Sequence, residues 1–302
     1  MEKIAVLMST YNGEKYLKQQ IDSILRQNVN AKVDLWVRDD GSNDTTCDIL
    51  QSYAEAGKLN WYNGKNLHSA SSFMNLIKNV KDYDYYAFAD QDDIWEVNKL
   101  KISLEKIRDF NKIPTLFFSN ASLVDAELNP IGRNVYRNYP KLDFDTLCCA
   151  GGLLGCTMVF NDKLAEALRI TPDKVNIIMH DFYAAQVCKA LNGKIIYSHQ
   201  PLVKYRQHSN NVVGVSVGML STLRDRISEI TQKPSVGIAD QARVVLSVYK
   251  EIEYSKRIWL MKVEKYEESL FNRLSLAFSS RTHYINLNNS IKIRLAILLK
   301  NR

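Results

Sequence analysis

The sequence predicts an α/β fold with a mostly parallel, Rossmann-like sheet, continued at its C-terminal end by helices. Three observations lead there. Short apolar runs alternate with amphipathic helical stretches through the first 90 or so residues, which is the pattern of strands joined by helical crossovers. Each run stops in a turn rich in carboxylates and hydroxyls, and the loops beyond strand carboxyl ends are where ligands gather in such sheets. From Gly218 onward the spacing is helical only.

Ile4-Ala5-Val6-Leu7-Met8 is apolar throughout, as a strand buried on both faces must be. Ser9-Thr10-Tyr11-Asn12-Gly13 then turns the chain into a helix with Tyr16, Leu17, Ile21, Ile24 and Leu25 on one face. Val33-Asp34-Leu35-Trp36-Val37 is the second strand, and it ends at Asp39-Asp40-Gly41-Ser42. Asn43 to Thr46 offers caps for a helix with Ile49, Leu50 and Tyr53 facing inward. Leu59 to Tyr62 reads as a third strand and Ser69 to Val80 as a helix. Tyr85 to Ala89 is the fourth strand, and it ends abruptly in Asp90, Asp92 and Asp93.

Three carboxylates so close repel one another unless a cation sits among them, and oxygen ligands of this kind suit Mg²⁺ or Mn²⁺. The plainer reading is a turn whose aspartates cap the next helix. No GxGxxG or GxxxxGK[ST] stands anywhere in the chain, so a glycine-rich phosphate loop is not the device. Farther on, the periodicity predicts a helix over Val97 to Phe110, a strand over Thr115 to Asn120 and a turn at Asn129 to Gly132. Arg133 to Asp145 reads as a long loop over the active face, and the glycines of Ala150 to Phe160 precede a strand-like end. Val175 to Met179 is an apolar stretch leading into His180-Asp181, with a helix from Ala184 to Leu191. Asp181 there is a helix cap or a carboxylate held for chemistry. Lys194 to Tyr197 and Leu202 to Tyr205 read as two strands, and His208 as a metal ligand or a surface loop residue.

Composition bounds the reading further. At 302 residues, with 46% hydrophobic and 24% charged residues, the chain has the make-up of an ordinary globular protein. The apolar run near the N-terminus is short and broken by Asn12, so it reads as a strand and not a signal peptide. No apolar run reaches the roughly 18 residues of a membrane span. Five cysteines without CxxC spacing suggest neither a disulfide framework nor a zinc site, which fits a cytoplasmic protein. Of the net charge of +7, all resides between Lys256 and Arg302, where ten Lys/Arg face three Glu. A basic tail on a neutral body argues against nucleic acid as a partner. The basic, apolar helix around Ile291 to Leu299 packs on the main domain, joins copies of the chain, or attaches peripherally to the inner face of an anionic membrane.

Taken together, Leu7-Met8-Ser9-Thr10-Tyr11-Asn12-Gly13, Arg38-Asp39-Asp40-Gly41-Ser42-Asn43-Asp44-Thr45-Thr46 and Ala89-Asp90-Gln91-Asp92-Asp93-Ile94-Trp95 resemble the inverting family 2 glycosyltransferases of GT-A fold. Met179-His180-Asp181-Phe182-Tyr183 and Tyr205-Arg206-Gln207-His208-Ser209-Asn210-Asn211-Val212-Val213-Gly214 are similar to the bacterial rhamnosyltransferase branch. The resemblance covers residues 1–214, leaving 215–302 as a helical, basic region, and Asn66 to Ser72 departs from the family pattern. It implies that Thr10, Tyr11, Asp39, Asp40 and Asp90 hold the donor nucleotide. Asp92, Asp93 and His208 would meet the metal, and Asp181 would be the catalytic base. Gly155, Cys156 and His180 would border the acceptor. The implied reaction moves a sugar, L-rhamnose from dTDP-L-rhamnose, to a glycan, lipid-linked or glycoprotein acceptor. A UDP-hexose or UDP-N-acetylhexosamine donor is the variant within the class. From other classes, a nucleotidyltransferase would want a basic loop where Ser9 to Gly13 has no Lys or Arg, and a silent scaffold would not need Asp40, Asp92 and Asp181.

Overall fold

The computed structural model describes residues 1–150, 153–208, 235–282 and 287–301. Strand β1 (Lys3–Thr10) lies between β2 (Lys32–Asp39) and β4 (Tyr85–Ala89), parallel to both, and β3 (Asn60–Asn63) extends β2. The crossovers are α1 (Leu17–Leu25), α2 (Thr46–Glu55) and α3 (His68–Asn79). Ile4 to Met8 and Tyr85 to Ala89 are buried residue after residue, which is why those runs lack polar alternation. The four-strand, three-helix start is as the sequence predicts, with β3 one residue later.

Beyond β4 the sheet becomes mixed. A two-residue strand, β5 (Ile94–Trp95), precedes α4 (Lys99–Ile107), a helix shorter than the periodicity suggests because its last turn tightens over Arg108–Phe110. Strand β6 (Thr115–Val124) is longer than its apolar run and pairs with β7 (Pro130–Asn134). The turn therefore lies earlier than expected: Asp125 accepts from the Glu127 and Asn129 amides, an Asx-type turn. The expected loop over 133–145 also shortens. Asp143 caps α5 (Phe144–Cys149) by accepting from the Thr146 amide.

Strand β8 (Val159–Asn161) inserts antiparallel between β4 and β6. Asn161 caps α6 (Asp162–Arg169). The apolar run before His180 is not a strand, because the Ile178 amide goes to Gln241 instead of a neighbouring ladder. Helix α7 (His180–Ala190) starts at His180 itself, four residues before the expected position. The two predicted strands after it are one, β9 (Lys194–Arg206), parallel to β6 with register shifts around Asn120. The sheet order is β3-β2-β1-β4-β8-β6-β9-β5, with β7 on β6.

The C-terminal helices are α8 (Ile238–Val248), α9 (Tyr254–Glu264), α10 (Leu270–Ala277) and α11 (Leu287–Leu298). Their buried faces, among them Val245, Trp259, Leu276 and Ile297, join the same apolar cluster as Phe88, Phe118 and Phe160 of the sheet. The helical region is thus continuous with the core on one face of the sheet. The helix expected over 220–230, the stretch Ser209 to Gly214, the boundary at residue 214 and the glycines 151 and 152 lie outside the described residues.

Candidate active site

The site gathers at the carboxyl ends of β1, β2 and β4. Thr10 closes β1 and donates its hydroxyl to Asp39 Oδ1 at 2.9 Å. Asp39 is fully buried and also accepts from the Gly41 and Ser42 amides and the Ser42 hydroxyl. Its lone pairs are spent shaping the loop after β2. Asp40, equally buried, pairs with Arg38 and accepts the Leu67 amide at 2.9 Å. The Arg38 guanidinium reaches Ser72 Oγ and the Lys65 carbonyl as well, and a Cβ on Gly64 would lie 2.5 Å from its Nη2. Sequence reasoning passed over Arg38; the signal was a cation directly after Leu35-Trp36-Val37. Truncating one member of a buried pair strands the other charge. Arg38→Met is therefore expected to destabilise the protein by about 3–5 kcal/mol, measured from the midpoint of denaturant unfolding.

Tyr11 sits on the surface of this loop, and its backbone is clasped by Gln91. The Tyr11 amide donates to Gln91 Oε1 at 2.9 Å, and Gln91 Nε2 donates back to the Tyr11 carbonyl at 3.0 Å. Gly13 is needed beside it, since a Cβ there would come within 2.3 Å of Gln91 Oε1. A cavity of about 540 Å³ opens here, lined by Tyr11, Asn12, Lys15, Tyr16, Gln91 and His208 among others. It has room for a nucleotide-sized ligand.

The aspartates after β4 divide. Asp92 turns outward and its Oδ2 lies 2.8 Å from His208 Nε2. Asp90 and Asp93 turn the other way, toward Cys156, and one ligand atom from each of the three lies within 4.8 Å of the others. Of the expected metal residues, Asp92 and His208 thus pair with each other while Asp93 groups with Asp90, and Asp92 remains the strongest charged influence on Asp93. Burial, then the neighbouring Asp92 and Asp181, push the Asp90 carboxyl up to about 7. Burial, then Asp92 and Asp90, hold the Asp93 carboxyl well above its ordinary range. Asp93 Oδ1 accepts the Arg206 amide at 3.1 Å, whereas Oδ2 is buried without a hydrogen-bond partner among the described residues.

Two cations that the sequence reading left without a role stand behind this cluster. Arg206 donates from Nε to the Asp92 carbonyl at 2.7 Å and from Nη2 to Gln19, and it stacks over Tyr16. Lys99 is fully buried, its Nζ 3.5 Å from the centre of the Trp95 ring, a cation–π contact. Burial brings its ammonium down to about 7, against the opposing influence of Cys156 and Asp93.

Asp181 opens α7. Its Oδ2 accepts the Gly155 amide at 2.9 Å and its Oδ1 the Phe182 amide at 2.6 Å. Burial nevertheless raises its carboxyl to about 6, the backbone donors pulling the other way. His180 points into the core, stacked on Phe73 at 3.8 Å, and burial drops its imidazole to about 3, so the ring is neutral. Cys156 is likewise fully enclosed, against Asp93 and Asp90. Neither side chain lies at an open acceptor surface. Instead Gly155-Cys156 links the two sets of carboxylates, its first residue holding Asp181 and its second facing Asp90 and Asp93. A Cβ on Gly155 would lie 2.8 Å from His180 Nε2 and 3.2 Å from Asp181 Oδ2.

Asp90 and Asp93 supply hard oxygens, and Asp93 Oδ2 is buried without a hydrogen-bond partner among the described residues, so these two carboxylates fit a divalent cation, with the softer Cys156 sulfur as their third neighbour. The chain is 30% identical over 230 residues to the dTDP-rhamnosyl transferase RfbG of Shigella flexneri, covering 70% of this chain and 74% of that protein. In fold it is similar to TarS 1-349 of S. aureus (TM-score 0.58, 14% identity, 97% of this chain and 77% of that one). It is also similar to the mannosyltransferase PcManGT of Pyrobaculum calidifontis, solved with GDP-Man and Mn²⁺ (TM-score 0.54, 14% identity, 97% and 73%). Residues 5–168 match the pattern of glycosyl transferase family 2, and with over half the chain inside that match the protein belongs to this family of enzymes.

Proposed function

We propose that this chain, as a cytoplasmic enzyme with residues 1–214 as its catalytic unit, transfers L-rhamnose from dTDP-L-rhamnose to a cell-surface glycan, lipid-linked or glycoprotein acceptor, with inversion. One observation carries the reaction type. A single carboxylate, Asp181, lies outside the group formed by Asp90, Asp93 and Cys156, held by the Gly155 amide and close enough to act on Asp90. A diphosphate is an acidic leaving group and needs no general acid, so one base suffices where a glycosidase needs a pair. The acceptor oxygen bonds to the anomeric carbon as the bond from that carbon to the diphosphate oxygen breaks, and the hydroxyl proton passes to Asp181. The Gly155 and Phe182 amides fix the direction of that carboxylate.

Asp90 and Asp93, with Asp92 at the mouth, would hold Mg²⁺ or Mn²⁺. When bound, the cation supplies positive charge against the diphosphate as it departs. The loop shaped by Asp39 would receive the nucleotide, with Thr10, Tyr11 and Asp40 around the base and ribose. The donor reading is supported by the likeness to RfbG, and the cytoplasmic reading by five cysteines that are all free. A panel of nucleotide sugars tests it through donor hydrolysis. Turnover of dTDP-L-rhamnose is expected to exceed that of UDP-glucose or UDP-N-acetylglucosamine by about tenfold or more. Preference for a UDP-sugar would overturn the donor, and turnover of none would overturn the enzyme reading.

A further inference from the structure

We infer that α9 to α11 form a peripheral docking surface for an anionic lipid bilayer. A helix packed on a core ordinarily presents polar residues outward. These three do not. Helix α10 buries Leu276 and Ala277, yet Leu270, Phe271, Leu274 and, just past its end, Phe278 face solvent, with Phe271 78% and Phe278 66% exposed. Helix α11 buries Ile293, Ala296 and Ile297 and still exposes Ile291 and Leu295 one turn apart, followed by Leu299. On α9, Tyr254, Ile258 and Met261 repeat the pattern beside the buried Trp259, Leu260 and Val263. The helices adjoin in the fold, α10 packing against both α9 and α11.

Charge selects the occupant. From Tyr254 to Arg302 ten Lys/Arg face three Glu, all three between 264 and 268. Exposed Lys292 lies on α11 and exposed Lys265 directly past the end of α9. Apolar side chains that enter the acyl boundary, surrounded by cations that meet lipid phosphates, are the two elements of interfacial binding. A second copy of the same surface would bring like charges together. Among the described residues no helix is long and apolar enough to cross a bilayer, so the contact is peripheral. This inference does not depend on the donor.

Vesicle co-sedimentation of the full chain tests it. Binding to vesicles of phosphatidylcholine with about one-third phosphatidylglycerol is expected to exceed binding to pure phosphatidylcholine by about tenfold or more, and to weaken as salt is raised. The double substitution Phe271→Ser, Phe278→Ser, at exposed positions, is expected to reduce that binding about tenfold while donor hydrolysis is unchanged. Lys265→Glu with Lys292→Glu is expected to do the same, and gives an independent reading should the first pair fail to fold. Equal binding to both vesicle types, or binding untouched by either pair, would overturn the inference. So would a dimer in sedimentation equilibrium that the Phe substitutions dissociate, since the face would then belong to a second copy.

Discussion

Replacing Asp181 by Asn is expected to lower kcat by about 10²–10⁴-fold, roughly 3–5 kcal/mol of barrier, with donor affinity by calorimetry unchanged. The amide is nearly isosteric and still accepts a backbone hydrogen bond, but it cannot take the acceptor's proton. A pH profile separates this role from a structural one. The carboxyl is raised to about 6 by burial, so the base is ionised above that pH and turnover falls as pH drops through it. Stability runs the opposite way. A carboxyl that ionises at about 6 in the fold, against 3.8 when free, favours the folded state only while protonated, and that advantage is lost as pH rises from the lower value through the higher. Asp181→Asn is therefore expected to melt at or above the parent's Tm at pH 8. A variant that lost turnover because it was less stable would show the reverse, and near-parental kcat would remove Asp181 as the base.

Excess EDTA is expected to abolish transfer, and Mg²⁺ or Mn²⁺ to restore it. The reasoning is electrostatic. Asp90 and Asp93 are both driven toward protonation by burial and then by the neighbouring Asp92, and Asp93 Oδ2 has no hydrogen bond among the described residues. An uncompensated buried carboxylate is too costly to keep without a purpose. A bound cation turns that cost into affinity. Full activity under chelation would remove the metal reading.

Much of this was legible in the chain. Ile4 to Met8 and Tyr85 to Ala89 announce themselves because a strand buried on both faces has no room for polar residues. Thr10 and Asp90 are found by asking where those strands end, and Asp39 and Asp40 by asking the same of β2. Asp181 is a chemical residue type at a helix start. What was not legible depends on contacts made across the chain. Arg38 looks like the polar end of a strand until Ser72 and Lys65 close over it. Lys99 looks like the first residue of an exposed helix, and only the fold lays it on Trp95 and walls it in. Cys156 and His180 carry residue types that suit a wet acceptor site, but β8 and α7 turn them inward. The division of Asp90 and Asp93 from Asp92 follows from the turn after β4, which no composition or spacing specifies.

The hydrogen bonds of Arg206 and His208 have a consequence in time. Arg206 reaches Gln19, 187 positions earlier, and its backbone holds Asp93, 113 positions earlier. His208 closes on Asp92 across 116. A ribosome finishes the aspartate turn long before it delivers the residues that brace it, and contacts of such separation form late in folding. The nascent chain therefore carries an unbraced trio of carboxylates while 113 of its 302 residues are added, and the braced turn exists only once β9 has joined the sheet.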